Sequence, residues 1–186
     1  SGAKLKGADV TDTDFTGANL NWVRSGELVG DPYALPPNWI VENGFLVGPS
    51  AVLIDADLSG SDLSALVLKR TIFLGGKLAD TDFTGSDLGR ARFYDVDLTR
   101  TIFTDGYLSR AKFVGDTMTG TFLDGANMGS VLLRKSILTN VDLRGGDWSN
   151  IRIVGDLTTS GLKGTPDNLP GGWSIVGGVL YWYYGQ

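Results

Sequence analysis

From Leu53 to Ile153, every fifth residue is a large apolar side chain. The file runs Leu53, Leu58, Leu63, Leu68, Phe73, Leu78, Phe83, Leu88, Phe93, Leu98 and Phe103, then Leu108, Phe113, Met118, Leu123, Met128, Leu133, Leu138, Leu143, Trp148 and Ile153. A period of five fits neither the 3.6-residue helix nor the two-residue strand. It requires a chain that turns a corner every five residues and points one anchor inward per side, which is the pattern of a solenoid. Two positions before the anchor sits a mostly small residue, as at Ala51, Ala56, Ser61, Thr71, Gly76, Thr81, Ser86, Ala91 and Thr101. One position before it sits Asp in many units, facing water.

The anchors also say how many sides each coil has. Between residues 73 and 113 they alternate Phe and Leu strictly. A period of ten laid on a period of five puts the two residue types on alternate sides of a square. Twenty residues per coil would then stack Phe73, Phe93 and Phe113 in one column and Phe83 with Phe103 in the opposite one. Leu78 with Leu98, and Leu88 with Leu108, fill the other two columns. A three-sided coil would mix Phe and Leu in every column. At a coil spacing of about 4.8 Å, the uninterrupted run is about 25 Å long.

The units ADLSG (56–60), SDLSA (61–65), TDFTG (81–85), SDLGR (86–90) and VDLTR (96–100) resemble the pentapeptide-repeat family, whose consensus is A(D/N)LXX. The likeness covers Ala51 to Gly155 without slippage, and AKLKG, ADVTD, TDFTG and ANLNW within residues 3–22. It implies an all-β fold, a right-handed quadrilateral parallel β-helix with four pentapeptides per coil.

Two segments break the register, and they match each other at an offset of 134: residues 28–46, LVGDPYALPPNWIVENGFL, and residues 162–180, LKGTPDNLPGGWSIVGGVL. Each holds an LP-x-x-W approach and two short apolar runs around Asn43-Gly44 or Gly177-Gly178. Those dipeptides supply the positive φ of tight hairpin turns. Both segments are therefore expected to be β-hairpins whose tryptophan packs on a coil edge. Similar modules are interspersed in some bacterial pentapeptide-repeat proteins. The organisation expected is one solenoid domain over 1–186, with a first coil at 3–22 and an LP-x-x-W hairpin insertion at 23–50. A continuous array follows at 51–155, then a second module with a C-terminal cap at 156–186. Tyr181, Trp182, Tyr183 and Tyr184 are expected to close the open core, with Trp148 in the same layer. The amino end shows no comparable cap. Ser1-Gly2 ahead of the first unit looks like a cloning remnant on an excised or processed piece.

Composition narrows the chemistry. A chain of 186 residues with 42% apolar residues can fill one continuous core. Cysteine is absent, so neither a disulfide framework nor a redox compartment can be inferred. No segment approaches the roughly 20 apolar residues of a membrane helix and no leader pattern opens the stretch; the compartment is unassigned, cytoplasmic by default, with a secreted or surface-exposed location left open. Histidine is also absent, which removes the commonest base and metal ligand. DADLSG (55–60) begins like a calcium loop, but Leu66 stands where the bidentate Glu belongs. The aspartates recur at the outward position, so their spacing is architectural. The expectation is no enzyme, no cofactor and no metal.

What remains is surface. On the side anchored by 53, 73, 93, 113, 133 and 153, the residue after the anchor is Ile54, Leu74, Tyr94, Val114, Arg134 and Val154, and Val52, Ile72 and Leu132 precede it. Such an apolar stripe marks a contact, either with the hairpin at 39–47 or with a partner or second copy. Arg70, Arg90 and Arg110 share one corner, a candidate anion-facing column. Some members of the family protect bacterial topoisomerases from inhibitors by mimicking duplex DNA. The resemblance therefore implies that function as an alternative, but the array 51–155 carries a net charge of only −1 out of the chain's −5. That is a poor copy of DNA's phosphate charge. A pI near 4.6 also argues against nucleic acid as the partner. The reading reached is a non-catalytic interaction or scaffold module whose partner is another protein or a second copy of itself.

Overall fold

In the computed structural model, which describes residues 2–182, every fifth residue from Asp55 to Gly155 has a positive φ. Thirteen of these twenty-one corner residues are not glycine, among them Asp95 (55°), Arg90 (62°) and Lys135 (53°). A left-handed backbone costs such residues about 1–2 kcal/mol each. The inter-coil hydrogen bonds that every corner makes possible offset that cost. Where one coil carries Asp95, the next carries Gly115, because a Cβ there would collide with the Asp95 carboxylate.

Between corners the backbone is extended. The chain first forms a hairpin of β1 (Ile40–Glu42) and β2 (Phe45–Val47). It continues through β3 (Val52–Ile54), β4 (Ile72–Leu74), β5 (Arg92–Tyr94), β6 (Lys112–Val114), β7 (Leu132–Arg134), β8 (Ile137–Thr139) and β9 (Arg152–Val154). β10 (Thr158–Ser160) pairs with β8, and β11 (Trp173–Val176) forms a terminal hairpin with β12 (Val179–Trp182). β3, β4, β5, β6, β7 and β9 form one parallel sheet with a register of twenty residues per step. We call this side 1. The three other sides keep the same step through single bridges along most of their length, such as Asp57↔Lys77↔Asp97, Asp62↔Asp82↔Ile102 and Val67↔Asp87↔Tyr107 (sides 2, 3 and 4); at the carboxyl end β8 pairs with β10, and Asp142 with Lys163, at a step of twenty-one. The section is square.

Inside, the anchors form four files. Phe73, Phe93 and Phe113 stack with ring centroids 4.8 and 4.7 Å apart, and Phe83 with Phe103 at 5.2 Å. Rings of the two files meet edge to face, as at Phe93–Phe103. The second inward position is filled by small side chains whose hydroxyls have partners. Thr81, Thr101 and Thr121 donate to the carbonyls of Leu58, Leu78 and Leu98. These bonds offset the cost of taking the fully buried hydroxyls out of water.

The hairpin modules lie across the solenoid, not along its flank. Residues 24, 29 and 34 continue the coil, pairing with Lys4, Asp9 and Asp14. The next pairing on side 1 joins Arg24 to Val52, a step of twenty-eight residues in place of twenty. The eight extra residues let the hairpin turn inward across the mouth of the second coil. Ser25 stands where an anchor would be, and Leu46 fills the vacant volume, its N–H donating to Ser25 Oγ at 2.8 Å. Leu28 N–H reaches the Gly44 carbonyl at 3.1 Å. Beyond the hairpin, Asn43 Nδ2 bonds the Asp57 carbonyl and Ser61 Oγ bonds Glu42. The core is thus split into two clusters, with Trp39 against both. Gly48 leaves room for that indole, since a Cβ would strike the ring.

The same plan recurs 134 residues later. Leu180 N–H donates to Thr159 Oγ1 at 3.0 Å, and Leu162 N–H to the Gly178 carbonyl at 2.9 Å. Leu169, Ile175 and Leu180 pack on the main core, which includes the fully buried Trp148. Trp173 rests against Trp182, centroids 5.1 Å apart. Ser1 and the Tyr183 and Tyr184 of the expected aromatic cap lie outside the described residues. Among the described residues no helix is long and apolar enough to cross a membrane.

Candidate functional site

Side 1 differs from the other three because at least one outward flank of every anchor is apolar, and both are at Leu53 and Phe73. Ile54, Leu74 and Val154 are about two-fifths exposed (38%, 43% and 43%), while Tyr94 and Val114 are half-buried. β-Branched and aromatic residues favour extended backbone, which fits the six paired strands of this side; elsewhere single bridges prevail, apart from β8 and β10 on side 2. Their outer surfaces supply the candidate interaction face Ile54, Leu74, Tyr94 and Val114. The amino-terminal hairpin lies across the coil mouth, and its Phe45 meets this face at Ile54, where the two line a cavity of about 320 Å³. Exposed apolar residues also occur elsewhere, with Phe122 on side 3 and Ile137 on side 2 at 40% and 42%. Outward apolar residues are therefore not confined to side 1, as a simple alternation would have it.

Around the corner from side 1, Arg70, Arg90 and Arg110 are all exposed and line one open cavity of about 580 Å³. Pro49, Ser50, Lys69, Gly89, Tyr107 and Ser109 complete its walls. Tyr107 is a lining group that the charge pattern alone did not mark. Its signal was its phase, one coil beyond Asp87 on side 4.

The outward aspartates close local turns. Asp57 Oδ1 accepts the Ser59 N–H, Asp62 the Ser64 N–H and Asp97 the Thr99 N–H, always two residues on. Hydrogen bonds from the hydroxyl and amide of Ser59 and Ser64 hold Asp57 and Asp62 below the usual carboxylate value. Carboxylates so held are poor proton acceptors at neutral pH. Among the described residues no group of three or more His, Cys, Asp or Glu could hold a metal ion.

One carboxyl breaks the pattern. Asp116 occupies an inward position, equivalent to Val96 and Ser136 in the adjacent coils, and is fully buried. Its Oδ1 accepts the Val96 N–H at 2.9 Å, but Oδ2 has no partner. Burial pushes its pKa up to about 7, against the opposing pull of the Val96 and Val114 amides. The period-five reading passed over it by counting aspartates only at outward positions.

Residues 1–24, 50–85 and 77–115 match the family model for pentapeptide repeats, in 8 copies. No curated protein matches the chain in sequence. Among solved structures, a trypsin-treated variant of QnrB1, a plasmid-mediated fluoroquinolone resistance protein, is similar with a TM-score of 0.52 and 18% identity, covering 90% of this chain and 84% of that one. HetL, a pentapeptide repeat protein involved in heterocyst differentiation regulation from the cyanobacterium Nostoc sp. strain PCC 7120, is 21% identical over 87% of this chain and 72% of that one, with a TM-score of 0.35. Rfr23 from the cyanobacterium Cyanothece 51142 is 17% identical over 84% and 88%, at 0.41. The first of these supports the fold. At such identities none carries a role across.

Proposed function

This chain belongs to the pentapeptide-repeat family, and from that premise we propose that it is a non-catalytic interaction module presenting side 1 to another protein. The observation that supports this most is the six-stranded sheet itself, whose outer positions hold Ile54, Leu74, Tyr94 and Val114 in one file. Rows of apolar side chains on a ladder-fixed backbone need no ordering on binding, which lowers the entropy cost of association. A partner can be another protein or a second copy of this chain.

The test is a photo-crosslinking residue at position 74, compared with one at Ser64 on side 3. A discrete adduct from position 74 alone is expected. Absence of any adduct from positions 74 and 94, in a protein that light scattering shows to be strictly monomeric, overturns the proposal.

The alternative of a DNA-mimicking topoisomerase protector needs a rod of dense negative charge. Side 1 carries Arg92, Lys112, Arg134 and Arg152 outward, and the adjoining corner carries three more arginines. Gyrase supercoiling is expected to be unaffected, with or without inhibitor, at high excess of this protein.

A further inference from the structure

We infer that the arginine file at the side 4 corner holds an extended acidic segment of the partner protein. This deepens the interaction reading above and rests on it.

Arg70, Arg90 and Arg110 end three successive side 4 units with φ of 61°, 62° and 62°. Their amides donate to the carbonyls of Gly89, Ser109 and Gly129, each at 3.0 Å. The ladder therefore fixes three backbones in register, and three side chains leave the corner in file. Coil spacing puts the first and third about 10 Å apart. Together with Lys69, Tyr107 and Ser109 they line the cavity of about 580 Å³, within the usual range for binding sites.

Among the described residues no hydrogen bond or ion pair engages these three guanidinium groups. The corner ending side 2 shows how an arginine corner closes on itself. There Asp80 and Arg100 stand one coil apart, and the guanidinium grips both carboxylate oxygens, Nε to Oδ1 at 2.6 Å. Opposite signs in successive coils satisfy one another; three like signs do not. The carboxylate that borders the cavity, Asp87, is already engaged by Lys69 Nζ at 2.9 Å and by the Gly89 N–H at 3.2 Å. Compensation for the file must come from outside the chain.

Guanidinium forks take carboxylate or phosphate, and the surroundings select the carboxylate of a peptide. Two residues past each arginine come Ile72, Arg92 and Lys112, and two further on Leu74, Tyr94 and Val114. No acidic residue intervenes on these three coils. A cationic file thus borders the apolar one directly. A segment with acidic residues beside apolar ones covers both, whereas a phosphate chain would meet only the first. Alternate side chains of an extended segment are about 7 Å apart, so two carboxylates fit within the reach of the three arginines.

Fluorescein-labelled octaglutamate, followed by anisotropy on the full chain, tests the charged half of this site. Binding is expected for the native protein, weakened about tenfold or more in Arg90→Glu. Lys135→Glu makes the same change of charge at another corner and should alter binding by less than about twofold. Arg90→Ser guards against misfolding, because Ser50 and Ser130 already hold this corner elsewhere in the file; it too should bind weakly. Equal losses in the two charge reversals, no binding at all, or binding of inorganic tripolyphosphate without octaglutamate would each overturn the inference. An adduct at position 74 alongside such a result leaves the side 1 proposal standing, so the two failures can be told apart.

Discussion

At the internal hairpin Leu46 and Val47 are fully buried, because the coil that begins at Ala51 closes over them. At the terminal hairpin the corresponding Leu180 is half-buried and Tyr181 is 46% exposed. The hydrogen bonds to the coil beneath are the same in both, down to the hydroxyl of Ser25 or Thr159 that accepts the leucine amide. One module therefore serves as an end cap in one place and as a partition in the other. The chain reads as two coils with their plug, followed by a longer array with its own. The ladder crosses the partition where Arg24 pairs with Val52. Solenoid stability is a sum of units and the interfaces between them, so this junction decides whether the two units unfold together.

The largest effect should come from the internal plug, where Leu46 fills the anchor place left by Ser25. Leu46→Ala opens a cavity in the amino-terminal cluster, beside Leu20 and Val23, and should cost about 3–5 kcal/mol, the upper range for a buried leucine. Leu180→Ala, half-buried at the free end, should cost less than half as much. Denaturant melts would show it, and the first variant should also split a single transition into two. Equal costs would mean that the partition contributes nothing the cap does not.

Next in size is a pH effect confined to the longer unit. The folded pKa of Asp116 is about 7, above the ordinary value of 3.8. Between these values the folded state holds a proton that the unfolded state lacks. The contribution of Asp116 to stability should therefore fall as pH rises from about 4 to about 7, and is constant on either side of that window. The whole swing is on the order of 4 kcal/mol. Asp116→Asn keeps the oxygen that accepts the Val96 amide and abolishes the titration, so its melts should be flat across that window. A native protein already flat there would show that the carboxyl finds a partner or water. The amino-terminal unit has no such group, so hydrogen exchange in residues 3–22 should not follow this pH dependence.

A smaller difference separates the two hydroxyls. Ser25→Ala leaves the Leu46 amide buried without an acceptor and should cost about 1–3 kcal/mol. Thr159→Val removes the same bond at the open end, where water can replace it, and should cost less than about 1 kcal/mol. Reversal of that order would mean that solvent reaches the partition.

Much of this was legible because a period of five leaves few choices. Leu53 to Ile153 set the four files, and the Phe–Leu alternation alone fixed a square section with stacked rings. Asn43-Gly44 and Gly177-Gly178 marked their turns, with φ of 47° and 75°, and of 58° and 75°. The placement of the hairpins was not legible, because a turn signal says nothing about which surface the hairpin meets. The clue was Ser25, a hydroxyl at an anchor phase, repeated as Thr159 at the same offset of 134 as the other matches. The arginine file followed from twenty residues per coil. The cavity beside it did not, since the position of an exposed ring such as Tyr107 is set by neighbours, not by period.

The smallest effect probes what the two units have in common. Asp9 accepts the amide and hydroxyl of Thr11 at 2.9 and 2.6 Å, and Asp97 those of Thr99 at 3.0 and 2.6 Å. The turn is closed within three residues in each case and touches neither plug. Asp9→Ala and Asp97→Ala should therefore shift the unfolding midpoint by equal amounts, each smaller than the Ser25 effect. If the corner were instead held by charge across coils, Asp97 would matter more, because among the described residues coils lie on both sides of it and on one side of Asp9. A larger loss at Asp97, erased by salt, would identify that longer-range term; equal losses insensitive to salt would place the aspartate's role within its own turn.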